Sequence, residues 1–214
     1  MKSKSIKRFS LFAFSALLLW IAADLLLPRH SSLREFSPAA MGQLDAAMWR
    51  SYYEGRKLRL FLQLSRSVRK QFHAPFWRSF PIAYQAAKAA VAFQGGRSRS
   101  DYARALPSLE KYFGAINRLA DRPFDVKAAA QNELEWWIIR REPQYSTADW
   151  ERFLAQVAAI LYHQPAEQFT DYAHLRVKAM ALRDEKGDGI TEADWKEITG
   201  LLEESWGKLW EVVR

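Results

Sequence analysis

The chain of 214 residues contains no cysteine. That absence excludes disulfides, thiolate metal sites and cysteine nucleophiles. Residues that favour β-strands are scarce as well, with 7 Val and 4 Thr against 31 Ala and 24 Leu. Ala and Leu are strong helix formers, whereas β-branched residues favour sheets. No alternating apolar and polar run of strand length occurs, and we therefore predict an all-α fold.

Familiar catalytic signatures are also missing. The sequence has no GxSxG, no HExxH, no P-loop and no Rossmann glycine pattern. Because 49% of its residues are hydrophobic and 26% are charged, it is not a disordered or fibrous chain either. The sequence thus indicates a folded helical protein but identifies no reaction.

An apolar segment lies near the N-terminus. Residues 9–27 carry a single charge, at Asp24, and span about 28 Å as a helix, close to the hydrocarbon thickness of a bilayer. Four basic residues precede the segment. The positive-inside rule therefore predicts a basic cytoplasmic stub at 1–8, a single-pass anchor at 9–28 in contact with membrane lipid, and a domain at 29–214 outside the cytoplasm.

A cleaved signal peptide is the alternative interpretation of this segment. Ile21-Ala22-Ala23 forms a poor cleavage site, and Leu25 to Leu27 continue the apolar run beyond it. We favour an uncleaved anchor in the inner (plasma) membrane. In both cases the domain is expected in the periplasm.

Helix start and stop signals divide the remaining chain. Ser37-Pro38 is a typical helix start, and nothing obvious interrupts the helix before Pro75, which predicts a first helix of about 35 residues. Further N-caps are expected at Asp125, at Ser146 or Thr147, and at Thr191. We predict one domain made of a bundle of about seven helices.

Charge is distributed unevenly along the chain. Residues 29–100 contain 13 Lys and Arg against 3 acidic residues, whereas residues 101–214 contain 15 against 20. The two halves could simply neutralise each other within one fold. Alternatively, a basic surface with one aromatic residue contacts anionic lipid or an acidic partner. The candidates are Arg56, Lys57, Arg59, Arg66, Arg69, Lys70 and Trp77.

Carboxylates and one histidine on the predicted helices suggest a metal site of the kind found in helical bundles. Such sites combine Glu with Glu-x-x-His pairs from facing helices. This chain offers only one comparable pair, Asp171-x-x-His174. The ligand set for iron, manganese or zinc would be Asp45, Glu54, Glu133, Asp171 and His174. A set of structural ion pairs is the competing interpretation.

Two adjacent tryptophans follow a glutamate in the segment 133–142, ELEWWIIRRE. Neighbouring helical residues point about 100° apart, so Trp136 and Trp137 both pack inside only if their helix is central. A central helix buries a carboxylate such as Glu133, which then needs a partner. We predict an internal ion-pair network of Asp45, Arg50, Glu133 and Arg140.

Three functions remain open at this stage. The first is a non-catalytic accessory or scaffolding subunit of a cell-envelope complex, whose tryptophan-rich helices contact a protein partner. The second is a metal-dependent oxidoreductase of ferritin-like type. The third is a protein that binds a small apolar ligand between its helices, which requires a sizeable internal pocket. Nucleic-acid binding is not expected, because the domain is predicted outside the cytoplasm and contains no recognised module.

Overall fold

The computed structural model describes residues 2–214, with side chains from residue 9 onward, and within this range it forms helices and no β-strand. The predicted all-α fold is therefore confirmed. The helices are α1 (Lys2–Leu26), α2 (Pro38–Tyr53), α3 (Lys57–Phe72), α4 (Phe76–Gln94), the single turn α5 (Arg99–Tyr102), α6 (Leu106–Asn117), α7 (Val126–Ile139), α8 (Thr147–Tyr162), α9 (Thr170–Lys186) and α10 (Glu192–Val213).

The predicted N-caps begin four of these helices. The Ser37 hydroxyl accepts from Ala40 N, and Asp125 accepts from two backbone amides of the first turn of α7. Ser146 and Thr191 each form a reciprocal capping box with an Asp three residues later. These side chains satisfy backbone amides that have no partner inside the helix, which is why the sequence marks these starts reliably.

The prediction of one first helix of about 35 residues is wrong. Helix α2 ends at Tyr53, and α3 begins at Lys57. Gly55 takes a left-handed conformation with φ of 69°, while its amide donates to Tyr52 O and the Arg56 amide donates to Ser51 O. These two bonds form a Schellman motif, which ends a helix where glycine follows its last turn. The break allows α3 to fold back against α2.

Helices α2 to α10 form a closed ring when the short α5 is set aside. Each helix packs against the next along the chain, so that α2, α3, α4, α6, α7, α8, α9 and α10 are consecutive neighbours. The last helix, α10, also packs on α2 and thereby closes the ring. Short connections favour such packing between neighbours.

Closure depends on a close approach between α2 and α10. Gly42 on α2 lies against the backbone of Glu203 on α10, and a Cβ added at Gly42 would lie 2.7 Å from Glu203 N. Only glycine leaves room for this separation. The absence of a side chain at Gly42 therefore determines how tightly the first and last helices of the ring can meet.

Helix α1 is attached to the ring through its end. Its window Phe9–Leu26 is long and apolar enough to cross a membrane, and little of it is buried against the protein. Asp24 is the exception, because its carboxylate accepts from Trp77 N at 2.5 Å in the first turn of α4. In return, Arg78 donates to the carbonyls of Asp24 and Leu27 at the end of α1. Each helix thus caps the other.

Replacing Gly42 by alanine is expected to lower the free energy of unfolding by about 1–3 kcal/mol, because the new methyl group overpacks the α2–α10 contact. Gly200 on α10 provides a matched control, since a Cβ there meets no atom within 4 Å. Gly200→Ala should raise stability by about 0.5–1 kcal/mol through helix propensity. Urea unfolding of the full chain in detergent, followed by circular dichroism, measures both. Equal effects at the two glycines would contradict this account of ring closure.

Candidate functional site: the lumen of the helical ring

The ring encloses a cavity of about 660 Å³, which we call the lumen. All eight helices of the ring contribute to its wall. Most of the lining is aromatic or aliphatic, and a small group of polar side chains lies among these residues. The polar and aromatic residues that line the lumen include Asp45, Trp49, Tyr112, Glu133, Trp136, Trp137, Tyr172, Arg176 and Trp206. A cavity of this size falls within the range of small-molecule sites, about 300–1,000 Å³.

A buried ion pair lies where α2, α9 and α10 meet. Asp45 on α2 is only 3% exposed, and its carboxylate accepts hydrogen bonds from the guanidinium of Arg176 on α9. The same carboxylate accepts from Nε1 of Trp206 on α10 at 3.0 Å. Trp49 lies 5.4 Å from the guanidinium carbon of Arg176, with its ring facing the charge. A charge buried this deeply requires such partners, and here they connect the two ends of the ring.

Glu133 on α7 projects into the lumen and forms no ion pair within the described part of the chain. Its Oε1 accepts from Trp137 Nε1 at 3.1 Å. Trp136 Nε1 is buried without a hydrogen-bond partner in the described part of the chain. Positions i+3 and i+4 of a helix lie one turn above position i, and helical side chains lean toward the N-terminus. Both indoles of the Glu-x-x-Trp-Trp segment therefore lie near the Glu133 carboxyl group, and Trp137 is the one that donates a hydrogen bond to it.

Burial raises the pKa of Glu133 above its ordinary value of 4.5. The two tryptophan N–H groups and the charge of Arg176 oppose the shift, while Asp45 adds to it. Burial also raises the pKa values of Tyr112 and Tyr172. The side chains of Glu133, Tyr112 and Tyr172 are partly accessible, and all three line the lumen. At neutral pH the hydroxyls of Tyr112 and Tyr172 are therefore uncharged and can donate hydrogen bonds into the lumen. They lie beside the Asp45–Arg176 ion pair, in which the two charges cancel.

A second ion pair lies at the rim of the lumen. Arg140 at the end of α7 donates to both carboxylate oxygens of Asp184 on α9 and to the hydroxyl of Tyr53 on α2. The side chains of Arg140 and Asp184 are 22% and 43% exposed, so this pair reaches solvent. The rim is polar, whereas the wall below it is aromatic.

The predicted internal network has different partners in the structure. Asp45 pairs with Arg176, and Glu133 accepts from an indole rather than from arginine. Arg50 lies on the outside, where it pairs with Glu54 and Glu192. Arg140 pairs with Asp184, as described above. The four predicted residues therefore do not pair with one another, and Arg176 is the functional residue that the sequence reasoning missed.

The residues of the predicted metal set do not converge. Asp45 and Glu133 both line the lumen, but Asp171 and His174 are exposed on α9. His174 pairs with Glu151 on α8, and Glu54 pairs with arginines at the end of α2. Among the described side chains, no three His, Asp or Glu residues are placed to hold one metal ion.

The predicted basic surface lies mainly on the outer side of α3. Arg56, Lys57, Arg59, Arg66 and Lys70 are exposed. Arg69 is half-buried and lies over the rings of Phe76 and Phe80 on α4. Trp77 contacts Trp20 of α1 at 5.7 Å between ring centroids. The tryptophans expected to contact a protein partner are found mostly in the lumen wall and the core.

Comparison of the chain with protein-family models, with curated proteins and with solved structures gave no match in any of the three searches. The lumen and the position of α1 are therefore the features of the molecule that bear on its function. Both are defined by named contacts, and both can be tested by substitution.

Replacing Glu133 by glutamine is expected to change how stability depends on pH. Because the folded state raises the pKa of Glu133, it holds the proton more tightly than the unfolded chain. The proton on Glu133 therefore stabilises the native chain at low pH. This contribution to the free energy of unfolding is lost as pH rises from about 4.5 to the raised pKa of Glu133. Glutamine retains an oxygen acceptor for Trp137 but does not ionise.

The stability of Glu133→Gln relative to the native chain should increase over this pH range, as measured by urea unfolding at several pH values. Glu197→Gln is a suitable control, because Glu197 is exposed on α10 and forms no ion pair within the described residues. A constant difference between Glu133→Gln and the native chain at all pH values would show that Glu133 is not held neutral by burial.

Proposed function

We propose that this protein binds a small, uncharged and largely apolar molecule inside the ring, with an oxygen-bearing group directed at Glu133. The observation that carries the proposal is the lumen of about 660 Å³ with an aromatic wall and a small polar group inside it. Apolar walls with a few polar anchors are the general character of small-molecule sites. An uninterrupted core would have favoured a purely structural role.

The polar groups of the lumen favour an uncharged ligand. The charges of Asp45 and Arg176 neutralise each other, and those of Arg140 and Asp184 do the same at the rim. Burial of Glu133 favours its uncharged form.

Arg141 also lines the lumen and forms no ion pair within the described residues, but its guanidinium lies over the rings of Phe93 and Tyr102 and donates to Phe93 O. An anionic ligand would meet only this already engaged cation, and a cationic ligand would lose its hydration shell without meeting an unpaired opposite charge, which is costly in a cavity of low polarity.

The available donors indicate which group the ligand presents. The hydroxyls of Tyr112 and Tyr172 make no hydrogen bond within the described residues. Trp136 Nε1 is a further buried donor that has no acceptor among the described residues. Buried donors are normally satisfied. A carbonyl, ether or hydroxyl oxygen on the ligand would supply the missing acceptor.

We also propose that α1 is a retained anchor, with the N-terminus in the cytoplasm and the ring outside it. Helix α1 runs without interruption through the poor cleavage site Ile21-Ala22-Ala23 to Leu26, which supports retention. The four basic residues before the span support the orientation. The role as an accessory subunit of an envelope complex stays a prediction, and ligand binding explains more of the geometry.

Native mass spectrometry of the full chain, extracted from membranes in mild detergent, tests the proposed ligand. The native chain should carry a non-covalent, drug-sized adduct. Ala90→Phe should lose most of it, because the added ring occupies the lumen at α4. Tyr112→Phe should weaken binding several-fold without filling space, since one hydrogen bond contributes about 0.5–1.5 kcal/mol.

Ala148→Phe is the matched control, because Ala148 is exposed in the first turn of α8 and does not line the lumen. It should retain the adduct at the native level. Equal occupancy in Ala90→Phe and the native chain would place the adduct elsewhere and overturn the proposal. So would a native chain that carries no adduct and is not stabilised by a panel of neutral amphiphiles such as 1-dodecanol.

A further inference from the structure

The exposed large hydrophobic residues of the domain are confined to one hairpin. Beyond the apolar N-terminal segment, the described residues include five such side chains that are at least 42% exposed. They are Leu58, Leu62, Phe76, Tyr84 and Val91. All five belong to α3 and α4. Exposed apolar side chains grouped on two neighbouring helices usually contact a membrane or another protein.

The position of this hairpin relative to α1 identifies the membrane as the partner. Trp20 of α1 stacks on Phe76 at 6.1 Å and meets Trp77 edge-on at 5.7 Å. Phe76 and Trp77 continue to Phe80, which lies 6.2 Å from Phe61 of α3. We call these four residues of α3 and α4 the aromatic corner. The aromatic corner thus contacts α1 through Trp20, within the apolar window of that helix.

The depth of the corner follows from helix geometry. Trp20 precedes Leu26, the last residue of the apolar window, by six residues, or about 9 Å along the helix. Asp24, which caps the amide of Trp77, lies about 3 Å before that end. Phe76 is therefore held level with the outer part of the span. Interfacial segments typically bury their apolar face about 5–10 Å into the boundary between headgroups and acyl chains.

The charges around the corner match an anionic bilayer surface. Arg66 and Lys70 are exposed on the same helix as Leu62, and Arg69 lies over Phe76 at 5.0 Å. Arg78 donates to the last carbonyls of α1 at the end of the span. Arginine and tryptophan at this depth combine an apolar body with a polar end that reaches the headgroups.

From these contacts we infer that the aromatic corner inserts into the outer leaflet beside α1, so that the exposed face of α3 and α4 lies against the membrane surface. The inference rests on the proposed anchor but not on the proposed ligand. It fixes the orientation of the ring, which would otherwise be free to turn about the end of a single span.

The absence of cysteine makes the chain suitable for a test by site-specific labelling. Single-cysteine variants of the full chain would carry an NBD fluorophore and be reconstituted in vesicles of phosphatidylcholine and phosphatidylglycerol, with or without doxyl-labelled lipid as quencher. Labels at Phe76→Cys and Leu62→Cys report on the corner and on the adjacent face of α3. Leu18→Cys reports on the span, and Ala148→Cys is an exposed control on α8.

We expect the label at residue 76 to show blue-shifted emission and to lose most of its intensity to doxyl lipid, with a smaller loss at residue 62 and none at 148. The label at residue 18 should be quenched at least as strongly as that at residue 76. Quenching at residue 18 but not at residues 76 or 62 would contradict insertion of the aromatic corner in the membrane, while it would agree with α1 as the anchor. Absence of quenching at 18 would overturn the anchor, and the inference with it.

Discussion

The buried contact between Asp45, Arg176 and Trp206 holds the helical ring closed. It joins the first helix of the ring to the last two, at the point where the chain must close on itself. Removing one member of a buried ion pair costs about 3–5 kcal/mol, a large part of the 5–15 kcal/mol that stabilises a typical domain. Gly42 permits the close approach that this contact requires.

Closure of eight helices leaves an interior that the side chains do not fill. Small residues such as Ala86, Ala90 and Ala158 line part of the wall, and the tryptophans form the remainder. A packed core normally contains few voids larger than a water molecule. A lumen of about 660 Å³ is therefore a costly feature for stability. A ligand that occupies the lumen, as we propose, would offset this cost.

The sequence predicted where helices begin better than it predicted which side chains pair with one another inside the fold. Caps at Ser37, Asp125, Ser146 and Thr191 depend on residues close in the chain, and these starts were confirmed. The break at Gly55 was missed, although glycine is the usual signal for it. Glu133 and its two tryptophans were recognised as an internal feature. The pairing of Asp45 with Arg176 depends on the order of helices around the ring, which local patterns do not encode.

A crystal structure of the full chain extracted in mild detergent would test the central claim most directly. The account predicts a closed ring of eight helices with continuous non-protein electron density in the lumen, bearing an oxygen atom within hydrogen-bond distance of Glu133 or Tyr112. A lumen collapsed by contact between opposing helices, with the aromatic side chains interdigitated and Glu133 turned to solvent, would contradict it.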